Sequence, residues 1–305
     1  SESTLWTNSE NWTPAGVPSD LEDATIPDAS GTDNDPTLGS TLAIGRLTIN
    51  NGGILNSAAD SAVTVSGDSG AWSNNGGTFN ASTGMVIFTN AAATISGETD
   101  FYNVTIDSGA VLWMTLDTTM RIAGTMTNDG TWRTVIGGHT DVEYNGGDQT
   151  VAVPNPSTNR YHCLTLSGTG TKTMPGTALE IVGDFTLSGT ATAVASSALT
   201  VGGTVTLGNG TTFTGGSFTH NIAGNWVNNG ATVALTGTTI NLNGAGTQTI
   251  GGSSSTTFTT LTINGAVTNN GTIQVNTALA GSSTLTQGTG STLTLNFTGA
   301  PGITG

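Results

Sequence analysis

Three stretches decide how this chain reads: Phe101-Tyr-Asn-Val-Thr-Ile106, Tyr161-His-Cys-Leu-Thr-Leu166 and Phe258-Thr-Thr-Leu-Thr-Ile263. Each sets an aromatic residue three positions ahead of an aliphatic-Thr-aliphatic triplet, and Leu47-Thr-Ile49 is a shorter relative. In an extended strand successive side chains point to opposite faces, so such a triplet buries two aliphatic groups and turns one threonine outward. Ahead of each full copy stands another pair of short strands: Val86-Ile-Phe88 with Thr94-Ile95, Val142-Glu-Tyr144 with Gln149-Thr-Val151, and Ile240-Asn-Leu242 with Gln248-Thr-Ile250. A third element is an aliphatic residue, a small residue and Gly before an Asn-rich turn. Ile122-Ala-Gly124 precedes Asn128-Asp-Gly130, Ile222-Ala-Gly224 precedes Asn228-Asn-Gly230, and Val65-Ser-Gly67 with Asn74-Asn-Gly76 is a looser copy.

Short alternating strands separated by Gly and Asn turns indicate an all-β protein. Unlike strands repeated in a fixed order, while loop lengths drift, favour coils stacked along an axis: a parallel β-solenoid, or β-helix, of short coils. The alternative is a row of tandem small β-sandwiches, since Asn-Gly pairs also mark type I′ hairpins. In a solenoid the same Asn and Gly are expected at left-handed corners, with Asn stacking on Asn of the next coil. The expected division is a cap or docking segment over residues 1–40, solenoid repeats over 41–290, and an edge strand with its tail over 291–305. The first segment stands apart through clustered acids and Pro14, Pro18, Pro27 and Pro36.

Charge is scarce and lopsided. Charged residues are 8% of the chain, where globular domains carry about a quarter. The net charge is −15, and no Asp, Glu, Lys or Arg follows Asp184. A surface so poor in charge reads as one covered by protein, glycan or a solid rather than by bulk water. The five Lys and Arg residues form no patch for phosphates, so nucleic acid is not an expected partner. No apolar run approaches the roughly twenty residues of a membrane span. The single Cys163 allows no internal disulfide. A chain that opens at Ser1 rather than Met fits a processed, secreted protein.

Chemistry-bearing residues are few. Asp20, Glu22, Asp23, Asp28, Asp33 and Asp35 cluster, and Asp33-Asn34-Asp35 has the alternating spacing of calcium loops, which makes Asp33 and Asp35 the candidate metal ligands. Polysaccharide cleavage would require gathered carboxylates, and Asp141, Glu143 and Asp148 near Arg133 and Arg160 are the one tight acidic group. Glu143 alternates with Val142 and Tyr144 and so should point outward; no catalytic residue is assigned and no enzyme activity is expected. Steps such as Thr204-Val-Thr206, Thr284-Leu-Thr286 and Thr292-Leu-Thr294 would suit an ice-binding face if they stood in register, but their irregular intervals read as outward strand positions. Trp132 and Trp226 read as core. Asp60-Ser-Ala62 and Asp117-Thr-Thr119 resemble an O-glycosylation signal of some secreted bacterial proteins.

Leu5-Trp6, Asn11-Trp12, Pro14, Val17-Pro18, Asp23-Ala24 and Ile26-Pro27, followed by Leu-Thr-Ile strands and Gly-Asn turns, resemble the opening of large secreted bacterial repeat proteins of the β-solenoid type. That resemblance implies a cell-surface or extracellular protein, adhesive or structural, and carries over no catalytic residue. The uncharged alternating strand Ser291-Thr-Leu-Thr-Leu-Asn-Phe297 lacks the charges that usually protect an edge. The expected function is therefore a structural subunit of an extracellular filament or surface layer, joined head to tail to copies of itself by strand pairing. Leu5, Trp6, Leu293, Leu295 and Phe297 are the candidate self-assembly residues. The alternative is a monomeric adhesin or carbohydrate-binding stalk.

Overall fold

The computed structural model describes residues 4–28, 35–134, 138–154 and 160–303, and among them one 3-10 turn, Ser9–Asn11, is the only helical element. The chain divides into two units, Ser1–Glu143 with Pro154–Ser157, and Tyr144–Val153 with Thr158–Gly305. Each is a β-solenoid of stacked parallel strands, with about 13 turns along the chain.

In the first unit Ala24–Ile26, Leu47–Asn50, Trp72–Asn75 and Ala93–Phe101 form one stack, and Leu42–Ile44, Ala62–Val65, Met85–Phe88, Asn103–Ile106 and Met126–Asn128 form a second. A third holds Thr37–Leu38, Ile54–Ser57 and Thr78–Asn80. In the second unit, Cys163–Leu166, Phe185–Leu187, Val205–Leu207, Trp226–Asn228, Gln248–Gly251, Val267–Asn269 and Leu285–Gln287 follow one another in hydrogen-bonded order. A second stack runs from Arg160–Tyr161 through Leu179–Ile181, Leu199–Val201, Thr219–Ile222, Thr239–Leu242, Thr256–Ile263 and Thr272–Gly281 to Thr292–Leu295. The third contains Gln149–Thr150, Thr171–Thr173, Thr192–Val194, Thr212–Thr214 and Thr232–Ala234.

The triplets behave as their alternation requires. Phe185, Val205 and Trp226 share a register column, as do Leu187, Leu207 and Asn228, and all six side chains are buried, while Thr186 and Thr206 lie between them on the outer face. In two copies of the repeated stretch the aromatic ends one strand at a corner: Phe101 and Tyr161 are buried, the chain bends at Tyr102 and His162, and Val104 and Leu164 begin the next buried pair, whereas Phe258 lies within the continuous strand Thr256–Ile263. Among the described residues the strand ladders are parallel, apart from an isolated antiparallel bridge of Asn50 with Gly76, and the Asn-Gly hairpins of the sandwich alternative are not formed there.

The asparagines do something other than adopt left-handed corners. Among the described residues the non-glycine residues with positive φ are Asp60, Ser82 and Asp117, and glycines fill the other left-handed positions. Asn74, Asn228 and Asn269 instead point inward and are buried. Asn228 donates from Nδ2 to the Ser255 carbonyl at 2.9 Å and accepts at Oδ1 from the Gly230 and Ala231 amides at 3.1 and 2.9 Å. Asn74 likewise donates to the Glu98 carbonyl at 2.6 Å and accepts from the Gly77 amide at 2.8 Å. A buried carboxamide thus ties its own turn to the following coil and satisfies backbone groups that the bend leaves without ladder partners. Stacking on a neighbouring asparagine does occur, but within and just past strands: Asn264, after Thr256–Ile263, donates to Asn241 at 3.0 Å and Asn241 to Asn221 at 2.8 Å.

Trp6, Trp72, Trp132 and Trp226 are all core residues. Threonine does fill outward positions, and on one sheet other threonines stand in register. Thr171, Thr192, Thr212 and Thr232 form one column, with Thr173, Val194, Thr214 and Ala234 beside it.

Candidate functional site

The described carboxylates are mostly held by local partners. Arg46 pairs with Asp23 and Asp68, and Arg121 with Glu98, with Asp100 at 3.2 Å and with Glu143 at 3.0 Å. Glu143 does lie on the outer face of Thr140–Tyr144, between buried Val142 and Tyr144. Asp141 sits 3.3 Å from His139, and Asp148 accepts from the Thr171 amide at 2.6 Å. Asp33 lies outside the described residues. Asp35 is half-buried just ahead of Thr37–Leu38, and among the described residues no set of three ligating groups forms around it.

The O-glycosylation-like segments turn out to be turns. Asp60 and Asp117 take left-handed conformations, with φ of 58° and 57°. The hydroxyls that follow them face inward: Ser61 is bonded to Ser57 at 2.6 Å, and Thr118 to Thr115 at 3.1 Å, both buried. Neither hydroxyl is open to a glycan in this fold.

Two buried ionisable groups are structural. Lys172 alternates with outward Thr171 and Thr173, so its side chain enters the interior, where Nζ donates to the Gly146 and Gly147 carbonyls and to Gln149 Oε1, at 2.7, 2.7 and 2.6 Å. Burial pulls its pKa down to about 8, with Asp148 acting the other way. His220 accepts at Nδ1 from the Leu199 amide at 3.0 Å and lies 2.7 Å from the Gly215 carbonyl through Nε2. That pairing requires the neutral ring with its proton on Nε2, and burial accordingly lowers the pKa.

Backbone and apolar surface are open at the first and last described coils. At the first, Leu5 bridges Thr37 in parallel and is half-exposed, whereas Trp6 is buried and bonds through its amide to the Thr37 carbonyl at 2.9 Å. Trp12 packs edge-on against Trp6, centroids 4.4 Å apart, and donates from Nε1 to the Trp6 carbonyl. Of the five exposed large hydrophobic side chains among the described residues, Leu5, Val17 and Leu21 belong to this segment. A groove of about 620 Å³ runs along Ala24–Ile26, lined by Trp12, Pro14, Val17, Pro18, Thr25 and Pro27 among others. Ala24–Ile26 is already a rung of the parallel stack, paired to Leu47, Thr48 and Ile49.

At the last coil, Leu293, Leu295 and Phe297 are half-buried with Thr292, Thr294 and Asn296 exposed between them, and Leu285 is half-buried as well. One coil back Ile273, Val275 and Val267 are buried. The self-assembly residues expected from sequence therefore fall into two groups, Leu5 with Trp6 in one unit and Leu293, Leu295 and Phe297 in the other. Trp6 is the member whose side chain the fold encloses. Thr25 and Leu285 were not among the expected residues; the signal for both was present, since Ala24-Thr-Ile26 and Leu285-Thr-Gln287 are variants of the aliphatic-Thr triplet.

Among the described residues no helix is long and apolar enough to cross a membrane. No family model, no curated protein and no solved structure matches this chain, so the reading of its function rests on these edges and surfaces.

Proposed function

We propose that the chain is a non-enzymatic structural subunit of an extracellular filament or surface layer, in which copies join head to tail by pairing β-strands. One observation carries the reading. Leu285, Leu293 and Leu295 present the inward side of the last described coil only half covered, on strands whose outer edge has no partner among the described residues. A bare, uncharged strand edge is a template for another strand. A joint between two different surfaces of one molecule repeats head to tail, and builds an open polymer when its rotation does not close a ring.

The charge pattern supports the same reading, because nothing after Asp184 repels a second copy by charge. Secretion and surface location rest on the resemblance of the Trp- and Pro-rich opening to secreted repeat proteins. The test is sedimentation and electron microscopy of the purified chain beside one lacking residues 291–305. Filaments from the full chain and a dispersed, folded shorter chain are expected. A full chain that stays dispersed at high concentration refutes the proposal.

A further inference from the structure

The stacked triplets share a hydrogen-bond rule that names the next bond in the series. In each coil the first residue of the triplet donates its amide to the carbonyl just ahead of the triplet in the next coil. In the first unit Ala24 donates to Arg46 at 2.8 Å and Leu47 to Ala71 at 3.0 Å. In the second Leu164 donates to Asp184, Phe185 to Thr204, Val205 to Asn225, Gln248 to Ala266 and Val267 to Thr284, at 2.8 to 3.1 Å. Parallel pairing makes alternate residues face opposite neighbours, so the middle residue of each triplet faces back to the coil before. Leu285 heads the last triplet, and among the described residues no carbonyl receives its amide. Thr25 is the middle residue of the first triplet, and by the same count its amide and carbonyl point away from Leu47–Asn50, into the groove lined by Trp12, Val17 and Pro18.

Resting on the head-to-tail reading, we infer that the edge Asp23–Ile26 of one copy receives Leu285–Gln287 of the next, in the register Leu285 to Ala24, Thr286 to Thr25 and Gln287 to Ile26. Leu285 N–H donates to the Asp23 carbonyl, Thr25 N–H to the Leu285 carbonyl, and Gln287 N–H to the Thr25 carbonyl. These are the bonds that the rule repeats within each unit. The register also sets Thr286 against Thr25, continuing at the joint the outward threonines of Thr268 with Thr286 and of Thr25 with Thr48. The occupant is a second copy, because Leu285–Gln287 is a strand of the same aliphatic-Thr kind that pairs in parallel throughout the stack and whose other edge has no partner among the described residues. Around the groove, exposed Val17 and Leu21 supply apolar surface for the half-covered coil to bury.

Proline tests the joint without removing a hydrogen bond of the fold, since Thr25 and Leu285 use their amides for nothing within the described chain, and edge strands tolerate proline. Thr25→Pro spoils the head and leaves the tail; Leu285→Pro does the reverse. Each variant alone should remain monomeric, with the circular dichroism of the parent. Mixed in equal amounts they should form one-to-one dimers and nothing larger, because one good head meets one good tail. As a second arm, a chain carrying both Thr25→Cys and Thr286→Cys should give, on oxidation of assembled material, a covalent ladder of multiples of the chain that reductant collapses. Variants that polymerise like the parent, a mixture that gives no dimer, or assembled double-cysteine chains that yield no ladder overturn this joint and leave head-to-tail assembly standing. A parent chain that never assembles overturns the reading beneath it.

Discussion

Replacing Asn228 by alanine tests whether inward asparagines hold the coils together. The side chain is fully buried and makes three hydrogen bonds, to the Ser255 carbonyl and from the Gly230 and Ala231 amides. Alanine removes all three and leaves a carbonyl and two amides at a bend, where no ladder strand is within reach to replace them. At about 1 kcal/mol net for each bond the loss is about 3 kcal/mol, and poor access of water to the orphaned groups pushes it upward. A domain of this size loses roughly 2–4 °C in Tm per kcal/mol, so the expected fall is about 6–12 °C. The reference is Asn209→Ala in an exposed turn, where substitutions stay within about 0.5 kcal/mol of neutral. Differential scanning calorimetry of both variants beside the parent reads the difference. Equal midpoints for the two variants would refute the claim that buried carboxamides, rather than turn propensity, hold these corners.

Two further predictions rest on other features. Gly97 has φ of 79° and a Cβ there would run into the Asn74 carbonyl, whereas Gly109 has φ of 85° and opens onto free space. Gly109→Ala should therefore cost only the left-handed penalty of about 1–2 kcal/mol, while Gly97→Ala should cost clearly more; equal urea midpoints would contradict the close approach of coils at Gly97. His220 is the one Asp, Glu, Lys, Arg or His side chain after Asp184 and is held neutral. Its folded pKa lies below the ordinary 6.5, so the unfolded chain takes up the proton first and stability falls as pH drops through 6.5, with no loss above it. His220→Gln should lose stability overall yet flatten that dependence between pH 7.5 and 5.5. An unchanged slope would show that protonation of His220 is not its source.

How far the fold could be read from sequence depends on which interactions are local. Alternation is local: Val205-Thr-Leu207 and Phe185-Thr-Leu187 announce two inward groups and one outward, and the interior rows follow. Pairing is not local. Phe185 finds Val205 twenty residues on, whereas Trp226 finds Ile250 across a longer loop, and only the three-dimensional stack reveals that both are single rungs. The threonine column of Thr171, Thr192, Thr212 and Thr232 recurs at nearly constant spacing, but only the register shows that these four share one outward row. Non-local pairing also hides the start of the solenoid. Pro18, Pro27 and Pro36 make the opening look like a separate cap, yet Ala24–Ile26 between them is already a rung, because three extended residues suffice to join a parallel stack.

Asparagine misleads for a different reason. Its preference for turns predicts position but not direction, and the same residue type serves in a surface ladder or as a buried tie. Direction is decided by whether the neighbouring coil leaves backbone groups unpaired, as Ser255, Gly230 and Ala231 are around Asn228. Lys172 obeys the same logic. Its place between Thr171 and Thr173 points it inward by simple alternation, and the interior tolerates an ammonium there only because the Gly146 and Gly147 carbonyls and Gln149 converge on it. Strand edges belong to this class as well. Thr25 and Leu285 look like ordinary members of the repeat until the stack shows that, among the described residues, each of their strands has a ladder partner on one side only.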